Sequence, residues 1–526
     1  MVTRIILILS GIGVYAQVPP ITDVLGAGSL LPDLRVPLCP GGRMSINFAA
    51  DLFPRSAPST PVISVAVAGK PAYVVAANPF SIDAQIPVEA PPGPTTITAT
   101  VGGLTSAPFA INLQPYAPVL LSCFGTSRCD FASFLNASGH FASPQESASP
   151  GDTLTGFANC LGPTSPPTPT GPSPANTPTA TPVILTIGGI QSNAGGPPVG
   201  GTLAPVSFAG LEKGSAGLYD VNFKVPMGLQ GTQPIYLTVG GVTSSPVNIP
   251  LFGISSIVSN ASFGSNGVAA PGSIISVFAN GLGNVDQLSG FPATKFQGIS
   301  VTFNGASAPL FHLTASYPHQ IDLILPGELP AAGTVNVQLI TPSGTSPNHA
   351  LTMAPAVPAF YRLADPVARN RINVIAQFAG TAWLAMPTSM AAALQLPGNC
   401  AATRPSPVSL CGQPAAPGDL LVLYATGLGK ATPNGDPNGP VLPTGAIPPA
   451  DGSVLYHTVV KPIVTIGGMP ALISYAGLAP GFPGLYQLNI QVPDSVALGD
   501  DVPVVVSLPG GAKDNTVTLA VQARTK

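Results

Sequence analysis

At 526 residues the chain is too long for one hydrophobic core, since single cores stop growing at roughly 250–300 residues, and length alone calls for about three or four domains. Charged residues make up 7% of it, against roughly 25% in an ordinary soluble domain. With 18 basic residues and a net charge of −3, the chain lacks the Lys/Arg stripe that nucleic acid or an anionic membrane surface requires.

Gly (59) and Pro (64) approach the level of low-complexity sequence, yet 45% of residues are hydrophobic and fall in short, regularly placed runs. A chain unable to bury apolar area lacks such runs, so this one is folded and turn-rich. The N-terminus reads as a signal peptide over 1–16. Arg4 supplies the positive end, Ile5 to Val14 the apolar stretch, and Val14-Tyr15-Ala16 the cleavage site before Gln17. The alternative is a buried first strand. Past the cut no apolar run approaches the roughly 18 residues of a membrane span, so the mature chain is expected to hold no integral membrane segment.

Four copies of one element follow in chain order: PGGRMSINFAADL from Pro40, PGDTLTGFANCL from Pro150, PGSIISVFANGL from Pro271 and PGDLLVLYATGL from Pro417. Phe48, Phe157, Phe278 and Tyr424 fall in register, each followed by Ala and, four residues on, by Leu. A Pro-Gly turn and then a short apolar run predict a strand. A second element ends each repeat's middle: IDAQIP at Pro87, VNFKVP at Pro226, IDLILP at Pro326 and LNIQVP at Pro493. Its period of two predicts a strand with one buried face, closed by proline. Between the two lies a third element, VAVAG at Gly69, LTIGG at Gly189, VTFNG at Gly305 and VTIGG at Gly468. After the second element come TITATVGG, IYLTVGG, VNVQLITPSG and VPVVVSLPGG, where Gly-Gly between β-branched runs signals a hairpin.

Many short strands with regular turns and no convincing amphipathic helix predict an all-β chain of tandem immunoglobulin-like β-sandwich domains. The expected division is domain 1 over 17–115, domain 2 over 116–252, domain 3 over 253–355 and domain 4 over 356–526. Domain 2 carries a Pro/Ser/Thr loop over 163–182, expected to be extended and solvated. Domain 4 carries an extended N-terminal segment and a loop over 431–462 at the equivalent place. Six cysteines fit an oxidising compartment. Cys400 with Cys411 is the natural short-loop pair, and Cys39, Cys123, Cys129 and Cys160 allow three pairings that sequence does not separate.

The segment NASFGSNGVAAPGSIISVFANGLG from Asn260, with GDLLVLYATGLG, VTIGGMPALISYAGLAPGFPGLYQLNIQVP and VPVVVSLPGG, resembles the uncharacterised C-terminal domain family described from Solibacter. The likeness runs from about Ile257 to the end, and LNASGHFASPQESASPGDTLTGFANCLG from Leu135 is similar to the Asn260 segment as a diverged copy. The resemblance implies an exported bacterial protein with an Ig-like fold similar to IPT/TIG domains. It implies no activity and no site residues.

Chemistry is sparse. No G-x-S-x-G nucleophile turn occurs, and His140, His312, His319, His349 and His457 are scattered, which reads as surface or loop histidine. Asp83, Asn222, Asp322 and Asn489 recur in one column of the second element, which reads as a repeated structural hydrogen bond. Asn434 to Gly439 matches half a calcium loop, but the twelfth position is Gly445 and no helix flanks it, so it reads as a turn. Leu442-Pro443-Thr444-Gly445 is internal and incomplete as a sortase signal, and Gly-Leu-Gly at Gly281 and Gly427 completes no phosphate loop. Trp383, Tyr456, Phe482 and Tyr486 read as plugs of a sandwich rather than a sugar platform. No catalytic, cofactor-binding or metal residue is assigned and no cofactor is expected. The expected role is structural, adhesive or binding, with an extracellular protein or glycan as partner. The alternatives are a polysaccharide-binding protein and a hydrolase with an unrecognised site.

Overall fold

The computed structural model describes residues 18–26, 37–50, 52, 62–122, 131–191, 196–264, 267–398, 400, 409–509 and 517–523. The expected signal peptide, Cys123 and Cys129 lie outside them. The first element forms strands Arg43–Phe48, Thr153–Asn159, Ile274–Asn280 and Leu420–Thr426. Each pairs antiparallel with the second element, Ser81–Gln85, Tyr219–Lys224, His319–Ile324 and Tyr486–Gln491 respectively.

The Pro-Gly turn pins this pair. Gly41, Gly151, Gly272 and Gly418 all hold φ between 75° and 93°, where a side chain is disfavoured. Their amides donate to the carbonyls of Ile86, Val225, Leu325 and Val492, the residues just before the closing prolines. Proline then ends the ladder because it has no N–H.

The opposite sheet is built from the third element, Ile63–Val67, Val183–Ile187, Ser300–Phe303 and Ile463–Ile466. Each pairs antiparallel with a nine-residue strand, Gly93–Val101, Gly231–Val239, Gly333–Thr341 or Gly499–Ser507. Gly102-Gly103 and Gly240-Gly241 carry positive φ at both positions, the two-residue hairpin turn that matches strand twist. The apolar residue two before each Pro-Gly turn, namely Leu38, Ala148, Ala269 and Ala415, makes a parallel bridge to the last strand of its sandwich. The segment leading into each Pro-Gly turn thus lies on the second sheet while the strand after the turn lies in the first, as in an immunoglobulin-like sandwich.

The chain forms two compact units, Met1–Leu251 and Phe252–Lys526. Each holds two large buried cores, one around Met44, Ile46, Ile82 and Ile97 and one around Phe134, Leu154, Val221 and Phe223 in the first unit. In the second unit the cores centre on Val277, Val301, Phe303 and Leu323, and on Leu423, Ile466, Leu488 and Val504. Phe252 packs into the third core. The architecture is a tandem of immunoglobulin-like β-sandwiches.

Two features depart from expectation. A short α-helix, Thr388–Ala393, interrupts the fourth sandwich and buries Met390 and Ala391. The 163–182 tract is solvated along most of its length, as expected, but Thr164, Thr168, Ser173 and Thr177 turn inward and are buried. Its hydroxyls satisfy its own backbone and each other, Thr164 Oγ1 donating to Thr168 Oγ1 at 2.9 Å and accepting from the Thr168 amide at 3.0 Å. Thr177–Pro178 then adds an edge strand to Val206–Leu211. In the fourth sandwich Tyr456–Thr458 adds an edge to Leu472–Leu478 at the same place. Gly210 and Gly477 stand where those edges cross, and a Cβ there would lie 2.3 Å from the Thr177 carbonyl and 2.0 Å from that of Tyr456.

Candidate functional site

Each unit holds a cleft where its two sandwiches meet, beneath the inserted loop. The cleft of the first unit measures about 660 Å³ and runs between Gly41, Val88 and Glu89 on one side and Pro163, Pro169 and Tyr219 on the other. That of the second unit measures about 560 Å³, between Gly272, Gly327 and Leu329 and the loop residues Lys430, Pro443 and Thr444. Both volumes fall within the roughly 300–1,000 Å³ of small-molecule sites.

Two tyrosines form the floors. Tyr219 donates its phenol to Gly162 O at 2.6 Å, and Tyr486 to Gly429 O at 2.5 Å, both across 57 residues of chain. Burial pushes both phenols well above their ordinary value, so they stay neutral and structural. In the first cleft Gln85 is fully buried, donating to Gly41 O and accepting from the Gly171 amide at 2.7 Å. These wall groups are satisfied by the protein itself, so what the clefts present is mainly shape and apolar surface. Among the described residues lining the second cleft Lys430 is the only charged one, and its ammonium donates to Pro437 O at 2.7 Å.

The seam of the first unit is covalent. Cys39 and Cys160, from its first and second sandwich, form a disulfide with Cα atoms 5.6 Å apart, which selects one of the pairings left open by sequence. Both are fully buried. Cys400 pairs with Cys411 as expected, at 5.7 Å between Cα atoms.

The column of Asp83, Asn222, Asp322 and Asn489 is not one repeated hydrogen bond. Asp322 Oδ1 accepts from Ser276 Oγ at 2.7 Å and Gln320 Nε2 at 2.8 Å. Ser276 Oγ accepts in turn from Asn260, whose amide oxygen receives the Tyr361 hydroxyl at 3.0 Å. Asn489 accepts from its own strand neighbour Gln487, and Asn222 Oδ1 is buried with no partner among the described residues. The histidines are dispersed, but His319 is fully buried rather than at the surface, with Nδ1 3.2 Å from Thr314 O. It stands three residues before Asp322, where Tyr219 precedes Asn222 and Tyr486 precedes Asn489, and that alignment was the signal for its burial.

The Asn434–Gly439 segment is a closed turn. Thr432 Oγ1 donates to Asp436 O, the Asn438 amide to Asp436 Oδ1, and the Lys430 ammonium occupies the Pro437 carbonyl. Among the described residues no group of three or more His, Cys, Asp or Glu is arranged to hold a metal ion. Trp383 and Tyr456 pack on the fourth core and Tyr486 lies within it, whereas Phe482 is 60% exposed and lines a small apolar depression with Phe311 and Pro483. Ser106, Ser244 and Ser346 went unread in the sequence. Each accepts an amide of the preceding long strand, from Ala99, Leu237 and Leu339, at 3.0–3.1 Å. The signal was a serine three residues past the hairpin turn in each of the first three sandwiches.

Among the described residues Asp220 is the carboxyl raised furthest. Burial, with the Glu212 carboxylate adding to it, pushes it up to about 6, and its Oδ1 has no partner among the described residues. A folded value above the unfolded value near 3.9 means the fold takes up a proton, so stability rises as pH falls from 7 through 6. Asp220→Asn is expected to raise the calorimetric melting temperature at pH 8 and to lose that advantage near pH 4. An equal difference at both pH values refutes the assignment.

No helix of the described residues is long and apolar enough to cross a membrane. No family model and no curated protein matches the chain. Among solved structures it is similar to the Bacteroides ovatus mixed-linkage glucan utilization locus protein SGBP-B in complex with a mixed-linkage heptasaccharide, at 11% identity over 66% of this chain and 68% of that one, TM-score 0.16. It is also similar to the I9–I11 tandem of titin, at 7% identity over 72% and 96% of the two chains, TM-score 0.13. The Escherichia coli adhesin FdeC is similar at 13% identity over 61% and 94%, TM-score 0.15.

Proposed function

We propose that the protein is an exported, non-enzymatic component of the cell surface or medium, whose sandwiches serve as spacer, adhesion or binding modules for an extracellular protein or glycan. Membership of the Solibacter-type C-terminal domain family belongs to the same proposal. The observation that carries it is the sealed seam of the first unit. A buried disulfide joining two sandwiches, Cys39 to Cys160, persists in oxidising compartments and makes a stiff two-sandwich block. Stiffness is what display of a binding surface away from the cell requires. Crosslinking on intact native cells is expected to capture one extracellular protein or glycan, while the purified protein turns over no ester, glycoside or polymer substrate. Turnover that disappears on replacing a single acid or histidine overturns the proposal.

The polysaccharide-binding reading is favoured by one feature, the exposed ring of Phe482 beside Phe311. Glycan-array binding that is lost in Phe482→Ala selects it over the spacer reading.

A further inference from the structure

Within each unit, three hydrogen bonds between the two sandwiches recur at equivalent positions. The third residue after the Pro of the Pro-Gly turn donates its amide to the last side chain of the partner's first strand: Arg43 to Asn159 Oδ1 at 2.9 Å, and Ile274 to Thr426 Oγ1 at 2.8 Å. The residue after the closing proline donates its amide to a threonine in the partner's inserted loop: Val88 to Thr170 Oγ1 at 3.0 Å, and Gly327 to Thr444 Oγ1 at 2.8 Å. That threonine then donates to the next residue of the turn, Glu89 Oε2 at 3.2 Å or Glu328 Oε2 at 2.5 Å.

The sequences on both sides match. The turns read Pro87-Val88-Glu89 and Pro326-Gly327-Glu328, and the loops read Pro169-Thr170-Gly171 and Pro443-Thr444-Gly445. The turn of the second sandwich reads Pro226-Met227-Gly228 and that of the fourth Pro493-Asp494-Ser495, neither with a glutamate at that place. The two halves are therefore segregated, turns on the first and third sandwiches and loops on the second and fourth.

The chemistry explains the residue types. Proline closes the strand, so the next amide has left the ladder and needs an acceptor at the seam. A hydroxyl can accept that amide and at the same time donate to a carboxylate, and the bond to the ionised partner is the stronger kind. Valine, of nearly the same shape, can do neither. We propose that the Pro-x-Glu turn is a docking site whose partner is the Pro-Thr-Gly loop of the following sandwich, that this match selects which sandwiches lock together, and that the chain is a duplication of one locked pair. The proposal rests on geometry and is independent of whether the protein binds a glycan, a protein or neither.

Hydrogen exchange on the full chain tests it, read in peptides covering Gly327 and the loop at Thr444. Thr444→Val and Glu328→Ala are each expected to speed exchange there by about tenfold, the factor that about 1.4 kcal/mol represents. The double variant is expected to match the worse single one, because both break one unit. Thr444→Ser keeps the hydroxyl and is expected to exchange like the parent, and the Val88 and Thr170 peptides to stay unchanged in all four variants. Exchange within about twofold of the parent in Thr444→Val, or effects of the two single variants that multiply, overturns the proposal.

Discussion

Replacing Arg371 by Met is expected to destabilise the fourth sandwich by about 1–3 kcal/mol, between the scale of exposed pairs and that of a fully buried one, because the pair lies near the surface. Asp365 has no exposed side-chain surface, and the Arg371 guanidinium reaches its Oδ2 at 2.9 Å. The other carboxylate oxygen accepts the amides of Val367 and Ala368, at 2.7 and 3.1 Å. Burial alone would raise the Asp365 carboxyl, but those two amides and the guanidinium together outweigh it and hold it below the ordinary carboxylate range. A lowered folded value means the ionised form stabilises the fold. That contribution is complete above the unfolded value near 3.9 and is lost as pH falls through the folded one. In the variant the buried carboxylate has no cation, so the deficit should be full at pH 7 and shrink only once pH falls through the lowered folded value of Asp365, below the ordinary carboxylate range. The second pair, Arg371 with Asp501, is bidentate but two-thirds exposed on the acid side, so solvent screens much of it. Trp383 is the only tryptophan of the chain and packs on the fourth core, so its emission in urea reports this sandwich alone. A loss below about 1 kcal/mol, the scale of exposed pairs, would show that Asp365 is solvated and the assignment wrong.

The strands were legible because period-two alternation, Pro-Gly openings and proline closures are local features, and each is a direct consequence of backbone chemistry. Met44 and Ile46 face inward with Arg43 and Ser45 outward, as alternation requires. The switch between sheets before each Pro-Gly turn was equally local, an apolar residue two before it, but a lone Leu38 or Ala148 carries no periodicity to reveal it. The inward-turned hydroxyls of the 163–182 tract were illegible for a different reason. Its composition is that of solvated chain, and nothing in composition shows that Thr164 and Thr168 will satisfy each other or that Gly171 will reach Gln85. The helix Thr388–Ala393 spans under two turns, too short to show a periodic stripe, and its stability comes from burying Met390 and Ala391.

The clefts were out of reach because they belong to seams. A seam brings together residues such as Glu89 and Thr170 that are 81 apart in the chain, each an unremarkable polar residue in its own loop. The Pro-Thr-Gly at 443–445 was visible, yet its only sequence reading was as a broken sorting signal. Its meaning appears when Thr444 is seen on Glu328.

Removing the Cys39–Cys160 disulfide is the complementary test, aimed at the first unit. The bond spans 121 residues, and closing a loop of about 100 residues restricts the unfolded chain by about 4–5 kcal/mol. Cys39→Ala with Cys160→Ala is therefore expected to cost the first unit about 3–4 kcal/mol by calorimetry, native packing offsetting part of the entropy. Alanine is the proper replacement, since both sulfurs are fully buried and serine would bury a hydroxyl. Gly42 records how tightly the bond is enclosed: a Cβ there would stand 2.4 Å from the Cys160 sulfur. The urea transition seen by Trp383 should not move, because that ring belongs to the second unit. Reductant alone should leave the folded bond intact and cleave it only once denaturant opens the seam. The short Cys400–Cys411 bond, 11 residues apart, serves as the internal comparison, since its smaller loop restrains the unfolded chain less. A first-unit loss under about 1 kcal/mol would mean that its two sandwiches unfold without feeling the crosslink. The stiff two-sandwich block on which the functional proposal depends would then be gone, whatever the second unit does.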